Sequence, residues 1–157
     1  LGAINLLEKF QLNLPEHIDI ALTDFDLNKL LFDDLLVSNR GNLIYVDFWA
    51  SWCAPCRKAM PQAKQLRAKY EKEAFRFVYL SIDDQAEQWK LAVEKEGLAL
   101  YQDNYLITNR RISMLMEKLD IQTIPRYLLF DKDGKLLHRN APGPDSPELL
   151  KLIEENL

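Results

Sequence analysis

Cysteine is scarce in this chain of 157 residues, which contains only Cys53 and Cys56. Two cysteines are too few for the disulfide framework that holds many small secreted domains together. The five glycines and seven prolines exclude collagen-like and low-complexity chains. Apolar runs such as 43–46 fall far short of the roughly 18 residues that a membrane-spanning helix requires. The formal net charge is −4 and no basic stripe is visible, so nucleic-acid binding is not expected.

Apolar residues make up 48% of the sequence, which is enough to build one domain with an ordinary core. Patterns typical of strands and of helices alternate along the chain, and this alternation predicts an α/β fold with a parallel central sheet. A closing hairpin makes the predicted sheet mixed. Residues 1–20, with a short helix over 3–14, are the only candidate extension, so we expect the domain to occupy 21–157.

The periodicity of apolar residues predicts most of the regular structure. Runs rich in β-branched and aromatic residues predict buried strands at 42–50, 75–82 and 126–130. Helical spacing and end signals predict helices at 53–72, 84–96, 112–119 and 146–157. Weaker patterns indicate a loose hairpin within 20–37, a short strand at 98–101 and a returning strand at 135–138.

The two cysteines are separated by two residues and stand where a helix is predicted to begin. This spacing lets the two sulfur atoms meet within one turn, and free backbone N–H groups at a helix start favour an anion there. Because the thiolate is the reactive form of cysteine, we predict that Cys53 is an attacking nucleophile and that Cys56 is the resolving thiol. Two other interpretations stay open: a zinc site completed by His17 and His138, and a purely structural disulfide.

Two further residues near the cysteines are candidates for the site. Asp47 lies in a predicted buried strand, where ionisation is costly, so we expect the pKa of its carboxyl to be raised. Such a carboxyl can exchange a proton with the resolving thiol; the alternative is a core aspartate with a structural role only. Trp52, next to Cys53, is expected to be exposed as an apolar contact for a partner, with ordinary packing as the alternative.

Three segments of the sequence together resemble the thioredoxin superfamily: YVDFWASWCAPCRKAMP at 45–61, VYLSIDD at 78–84 and IQTIPRYLLFDKDGKLL at 121–137. The pattern is most similar to the TlpA/ResA-like thiol–disulfide oxidoreductases, over roughly residues 20–157. The resemblance implies a thioredoxin-like three-layer fold of the α/β class, in which helices cover both faces of a mixed central sheet. The extra strand–helix unit between Phe75 and Leu119 is similar to the insertion of TlpA-like proteins.

The resemblance also implies roles for particular residues. It implies that the Ile124–Pro125 peptide bond is cis and faces the dithiol, with Pro125 a part of the catalytic site. The backbone at Ile124 would then pair with an extended segment of substrate, in a groove formed with Trp52 and Gly143. Asp47 matches the buried acid of thioredoxins, and neither a cofactor nor a metal is implied.

Two positions depart from the family pattern. Ala59 stands three residues after the second cysteine, where many ResA-like proteins carry glutamate. An acid role therefore falls on Asp47 alone, which weakens any link to cytochrome c maturation. Arg126 follows the proline, where thioredoxins usually carry a small hydroxyl residue, so we expect a different choice of partner.

The function that the resemblance implies is exchange of a Cys-x-x-Cys dithiol or disulfide with protein thiols and disulfides, sustained by an upstream reductant that the sequence does not identify. One alternative is a non-enzymatic thioredoxin-fold binding module with an inert disulfide. Another is a peroxide reductase of the AhpC/TSA type, which uses Thr-x-x-Cys, whereas residue 50 here is alanine.

The resemblance implies a periplasmic or cell-envelope location, with a tether or an upstream domain outside this sequence. The sequence shows no leader in which basic residues precede an apolar run. We therefore expect a mature protein or an excised domain.

Overall fold

Seven strands form one mixed sheet in the computed structural model, which describes residues 19–111, 113–121 and 123–157. The strands are β1 (Ala21–Thr23), β2 (Lys29–Leu31), β3 (Leu43–Trp49), β4 (Phe75–Ser81), β5 (Asn104–Ile107), β6 (Arg126–Phe130) and β7 (Leu136–His138). Their order across the sheet is β2-β1-β5-β4-β3-β6-β7. The pairs β3–β4 and β4–β5 are parallel, and the other neighbouring pairs are antiparallel.

Six helices connect the strands in the described part of the chain. They are α1 (Phe32–Ser38), α2 (Ala54–Lys58), α3 (Met60–Lys69), α4 (Ala86–Lys95), α5 (Met114–Leu119) and α6 (Pro147–Asn156). End signals in the sequence mark several of these bounds correctly. Gly97, at a φ of 71°, follows the end of α4 in the left-handed conformation that glycine favours. Ser146 caps α6 by accepting a hydrogen bond from the backbone N–H of Glu148.

Helices cover both faces of the sheet. All seven residues of β3 are buried, because the strand lies between β4 and β6 at the centre of the sheet. On one face Tyr70, at the end of α3, packs on Phe75 and donates a hydrogen bond to Glu154 of α6. On the opposite face Phe32 of α1 packs on Phe130. The predicted α/β three-layer fold with a mixed sheet is therefore confirmed.

The helix predicted over 53–72 is interrupted, as Pro61 requires. The segment α2 ends at Lys58 and α3 begins at Met60, so that Pro61 occupies the first turn of α3. Proline lacks the N–H group that a helix interior needs, and the first turn of a helix does not use that group.

Two elements differ from the sequence predictions. The predicted hairpin is present as β1 and β2, but it ends at Leu31. The rest of the segment predicted as hairpin, from residue 32 on, forms the helix α1. The short apolar segments there do not separate strand from helix by periodicity alone. The strand predicted at 98–101 is wrong, because β5 lies at Asn104–Ile107. The polar pair Asp103 and Asn104, both buried, conceals this strand in the sequence.

The described fold begins at the residues just before β1. The carboxylate of Asp19 accepts hydrogen bonds from the hydroxyl of Ser113 and from the backbone N–H groups of Met114 and Leu115. These bonds satisfy the free N–H groups at the start of α5. The helix predicted over 3–14 and His17 lie outside the described residues, and the domain boundary at residue 20 stays a prediction. Within the described ranges, every helix is too short or too polar to traverse a bilayer.

Candidate active site

Cys53 and Cys56 are joined in a disulfide at the start of α2. Their Cα atoms are 5.3 Å apart, and both residues are buried. Cys53 is the N-cap of α2, and its Sγ accepts a hydrogen bond from the backbone N–H of Cys56 at 3.2 Å. This N–H is one of those that a helix leaves unpaired at its start. The same bond would stabilise a negative charge on Sγ once the disulfide is reduced.

Arg57, the charged residue that follows Cys56, pairs with groups other than the two sulfur atoms. The Nε of Arg57 lies 2.8 Å from the Glu96 carboxylate, just after α4. One terminal nitrogen of the same guanidinium donates to the carbonyl oxygen of Ser51 at 3.1 Å. Arg57 therefore links α2 to the end of α4 and to the loop before Cys53.

The proline loop, which contains Ile124 and Pro125, lies against the disulfide. The Ile124–Pro125 peptide bond is cis, as the resemblance implied. The carbonyl oxygen of Ile124 lies 3.8 Å from Sγ of Cys53, so residues 71 positions apart in sequence meet at the sulfur. In the disulfide this sulfur carries no proton, and the approach is a contact rather than a hydrogen bond.

Arg126 folds back onto the protein's own backbone. Its guanidinium donates to the carbonyl oxygen of Arg139 at 3.0 Å and to that of Leu119 at 3.1 Å. These bonds tie the start of β6 to the end of α5 and to the segment after β7. Arg126, which stands where thioredoxins usually carry a small hydroxyl residue, thus holds the chain next to Pro125 in place.

Asp47 lies in the middle of β3 with only 4% of its surface exposed. Its Oδ1 has no hydrogen-bond partner among the residues that the structure describes. Burial raises the pKa of the Asp47 carboxyl well above its ordinary value. Its neighbours across the sheet are Tyr79 on β4 and Tyr127 on β6, both in direct register.

Trp52 and Gly143, two predicted groove residues, differ in their surroundings. Trp52 is 64% exposed, unlike the other large aromatic residues near the cysteines. Gly143 lies against Tyr127 and Asp145: a Cβ atom there would be 3.5 Å from the Tyr127 ring and 3.3 Å from the Asp145 carboxylate. Gly143 thus borders strand β6 two residues after Pro125.

Sequence reasoning missed Asp83, which anchors the loop before Cys53. The buried carboxylate of Asp83 accepts hydrogen bonds from the backbone N–H of Ser51 at 2.9 Å and from the Ser51 hydroxyl. It also accepts a hydrogen bond from the hydroxyl of Ser81 at 2.6 Å. The available signal was an acidic residue directly after a buried strand, at the edge of the sheet where the cysteines were expected. These bonds fix the backbone that carries Trp52.

The described residues contain no group of three or more His, Cys, Asp or Glu side chains arranged to hold a metal ion. The two sulfur atoms are bonded to each other. In this state they are not thiolates, which are the form of cysteine that binds zinc.

The sheet order, the dithiol at a helix start and the adjoining proline loop define a thioredoxin-like protein. A family model described as thioredoxin-like matches residues 41–136, and the chain belongs to this family. The predicted family and fold are thereby confirmed.

Relatives within the family carry names of one enzymatic class. The chain is 26% identical to the thiol-disulfide oxidoreductase ResA of Bacillus cereus over 132 residues, which are 84% of this chain and 70% of ResA. It is 27% identical to the sporulation thiol-disulfide oxidoreductase A of Bacillus subtilis over 119 residues, 76% of this chain and 70% of that protein.

Solved structures give the same result. A Bacteroides vulgatus protein assigned to the thiol-disulfide oxidoreductases superposes with a TM-score of 0.74 at 30% identity, covering 90% of this chain and 94% of that one. The predicted class of enzyme, a thiol–disulfide oxidoreductase with a thioredoxin-like fold, is confirmed.

Proposed function

We propose that Cys53 and Cys56 exchange electrons with protein thiols and disulfides through a mixed disulfide at Cys53. The observation that carries this proposal is the position of the Cys53 sulfur. It accepts the N–H of Cys56 at the start of α2 and lies 3.8 Å from the carbonyl oxygen of Ile124. A nucleophile and a backbone acceptor for a substrate strand are thus side by side.

In the reducing direction, the thiolate of Cys53 attacks one sulfur of a substrate disulfide. The substrate S–S bond breaks, a Cys53–substrate disulfide forms, and the first substrate sulfur leaves as a thiolate that takes up a proton. Cys56 then loses its proton and attacks the Cys53 sulfur. The second substrate thiol leaves, and the enzyme keeps the Cys53–Cys56 disulfide. Two electrons pass to the substrate, and a dithiol reductant restores the enzyme by the reverse steps.

Asp47 is the proposed acceptor for the proton of Cys56. Burial raises the pKa of its carboxyl, so this group holds a proton at pH values where an exposed aspartate has lost it. It lies six residues before Cys53 on the strand that leads into the active-site loop. A carboxyl of this kind takes up the thiol proton during resolution and returns it in the opposite direction.

The proposed substrate groove is formed by Trp52, Ile124, Pro125 and Gly143. Trp52 supplies an exposed apolar surface beside the sulfurs. The backbone at Ile124 supplies hydrogen-bonding groups for an extended segment of substrate, which would add to the protein as a short strand. Glycine at position 143 keeps the space beside Tyr127 open, where a Cβ atom would be in ordinary contact with the ring and in close contact with the Asp145 carboxylate.

The partners in this proposal are cysteine-containing proteins and an upstream dithiol reductant. A periplasmic or cell-envelope location is proposed from the resemblance to TlpA/ResA-like proteins. Disulfides form and persist in such oxidising compartments, where a reductant with this site has substrates.

A direct assay separates this function from the two alternatives. The protein is reduced with dithiothreitol, freed of the reagent, and mixed either with insulin or with hydrogen peroxide. We expect one insulin disulfide to be reduced for each Cys53–Cys56 disulfide formed, and peroxide to be consumed no faster than by a free thiol.

Each contrary result has a clear meaning in that assay. If dithiothreitol does not reduce the Cys53–Cys56 disulfide, and insulin stays intact, the protein is a binding module with an inert disulfide. Rapid loss of peroxide, with insulin left intact, would identify a peroxide reductase.

A further inference from the structure

A row of polar side chains crosses the sheet at the level of Asp47. Asp47 on β3 pairs with Tyr79 on β4 and with Tyr127 on β6, and Tyr79 pairs in turn with Asn104 on β5. Paired residues on neighbouring strands point to the same face of a sheet. The four side chains therefore lie side by side on one face.

The row contains buried polar atoms without protein partners. Among the described residues, Oδ1 of Asp47, the hydroxyl of Tyr79 and both amide atoms of Asn104 have no hydrogen-bond partner. The same holds for Nε of Arg67, whose guanidinium carbon lies 5.5 Å from the centre of the Tyr79 ring. Burial of even one such group without a partner is costly, and native proteins satisfy most of these groups, often with ordered water.

The spacing of the row suits water. Neighbouring strands lie about 4.8 Å apart, and a hydrogen bond to water spans about 2.8 Å. Water can therefore bridge adjacent members of the row where their polar atoms lie at a similar height above the sheet. A buried water needs two to four polar partners, and the unpartnered atoms of Asp47, Tyr79, Asn104 and Arg67 supply them.

The β5 end of the row leads towards solvent. The guanidinium of Arg67 also lies over the ring of Tyr101, at 4.0 Å. Arg67 and Tyr101 line an open surface cavity of about 460 Å³, together with Lys64 and with Asp103, the neighbour of Asn104. Arg67, which lies against the Tyr79 ring, therefore connects the row to the wall of this cavity.

We propose that the row from Asp47 through Tyr79 to Asn104 binds ordered water, which carries protons between the Asp47 carboxyl and solvent at the cavity beside Arg67. This inference deepens the proposed function, because Asp47 must be ionised before it can accept the proton of Cys56. To ionise, the carboxyl O–H bond breaks and the proton passes to the adjacent water. The hydrogen-bonded row then releases one proton to bulk solvent, and no electrons are transferred.

The titratable groups facing this region fit a neutral, hydrogen-bonding row. Burial raises the pKa of each of the three tyrosine hydroxyls around Asp47, so they stay protonated at neutral pH. Those of Tyr79 and Tyr127 can donate to water, whereas that of Tyr45 donates to the carbonyl oxygen of Pro142. The charged groups that face them are the Arg67 guanidinium from α3 and the Asp145 carboxylate from the segment before α6. The three tyrosines are Tyr45, Tyr79 and Tyr127.

The first test is a high-resolution crystal structure of the oxidised protein. We expect ordered density within hydrogen-bonding distance of the Tyr79 hydroxyl and of the Asn104 amide. A row that proves dry, with these atoms still unpartnered, would overturn the proposal.

The second test follows the Asp47 carboxyl carbon by NMR during a pH titration. Asn104→Leu and Tyr79→Phe remove polar atoms that hold the water, so the carboxylate is less solvated and its pKa should rise by about one unit. Tyr45→Phe is the matched control, since the Tyr45 hydroxyl donates to the carbonyl oxygen of Pro142 at 2.7 Å and lies outside the row. If Asn104→Leu does not fold, Tyr79→Phe, which removes one hydroxyl, decides the result.

The kinetic consequence is a slower release of the mixed disulfide. A rise of one pKa unit lowers the ionised fraction of Asp47 about tenfold below that pKa, so release should slow about tenfold in the two row variants and remain unchanged in Tyr45→Phe. Titration curves that superimpose for all variants would overturn the hydrated row. A titration shift without any change in release would keep the row and would instead contradict the proposed proton role of Asp47.

Discussion

Replacement of Cys56 by serine is expected to turn the protein into a covalent trap for its substrates. Cys53 still attacks a substrate disulfide, but no second thiol is present to break the Cys53–substrate bond. In Cys56→Ser most of the protein should therefore be recovered as mixed disulfides after incubation with a disulfide-containing protein. Non-reducing electrophoresis and mass spectrometry measure this directly, and mass spectrometry of complexes trapped in cells identifies the physiological partners.

Cys53→Ser is the matched control for the trap. It keeps one thiol of the same pair, but that thiol is Cys56, whereas it is the Cys53 sulfur that caps the start of α2 and contacts the carbonyl oxygen of Ile124. We expect few covalent complexes from this variant, and reduction of insulin at the background rate. Equal trapping by the two variants, or catalysis by either at the wild-type rate, would contradict the assignment of Cys53 as nucleophile.

Asp47→Asn is expected to stabilise the fold and to slow resolution of the mixed disulfide. Burial raises the pKa of Asp47 in the folded state above the value of about 3.9 in the unfolded chain. The folded state thus holds this proton more tightly. The stability that the protonated carboxyl contributes is complete below pH ~3.9 and is lost as the pH rises through the folded-state pKa. At neutral pH the uncharged amide should raise the free energy of unfolding by about 1–3 kcal/mol.

The kinetic part of this prediction has the opposite sign. Without a group to take the proton of Cys56, release of substrate from the mixed disulfide should slow by about 100-fold, the order of effect usual for general acid–base catalysis. Attack by Cys53 should be little changed. Urea unfolding across a pH series and stopped-flow measurement of release give the two quantities.

Asp84→Asn serves as the control for Asp47→Asn. Asp84 is an exposed carboxylate that pairs with Arg110 and Arg111 at the surface. We expect this variant to match the wild type in urea unfolding and in release. If Asp47→Asn releases substrate at the wild-type rate, Asp47 has no role in proton transfer, whatever its effect on stability.

The central strand and the dithiol were predictable because local rules determine them. The run of apolar residues around Asp47 has the composition of a strand covered on both faces. The Cys-x-x-Cys spacing with Pro55 sets the start of a helix at the cysteines. The contact between Ile124 and Cys53 was accessible only through the family resemblance, since 71 residues separate them.

Other features depend on register and on long-range contacts, which a single sequence does not specify. The hydrogen bonds from Ser51 to Asp83 join two strand ends. The alignment of Tyr79 and Asn104 with Asp47 requires the strand pairing itself. Arg126 illustrates the same limit, because the hydrogen bonds from its guanidinium to backbone carbonyl oxygens of the protein were not visible in the sequence. The different choice of partner expected from this residue stays a prediction.

The reactivity of Cys53 at different pH values tests the central claim most directly. The reduced protein is treated with iodoacetamide between pH 4 and pH 9, and alkylation of Cys53 and Cys56 is followed separately by mass spectrometry. We predict that Cys53 is alkylated rapidly near pH 6, with a pKa below the ordinary value of about 8.5 for a free cysteine, while Cys56 reacts slowly. Sluggish alkylation of Cys53 with an ordinary thiol pKa would contradict the account and indicate a binding module.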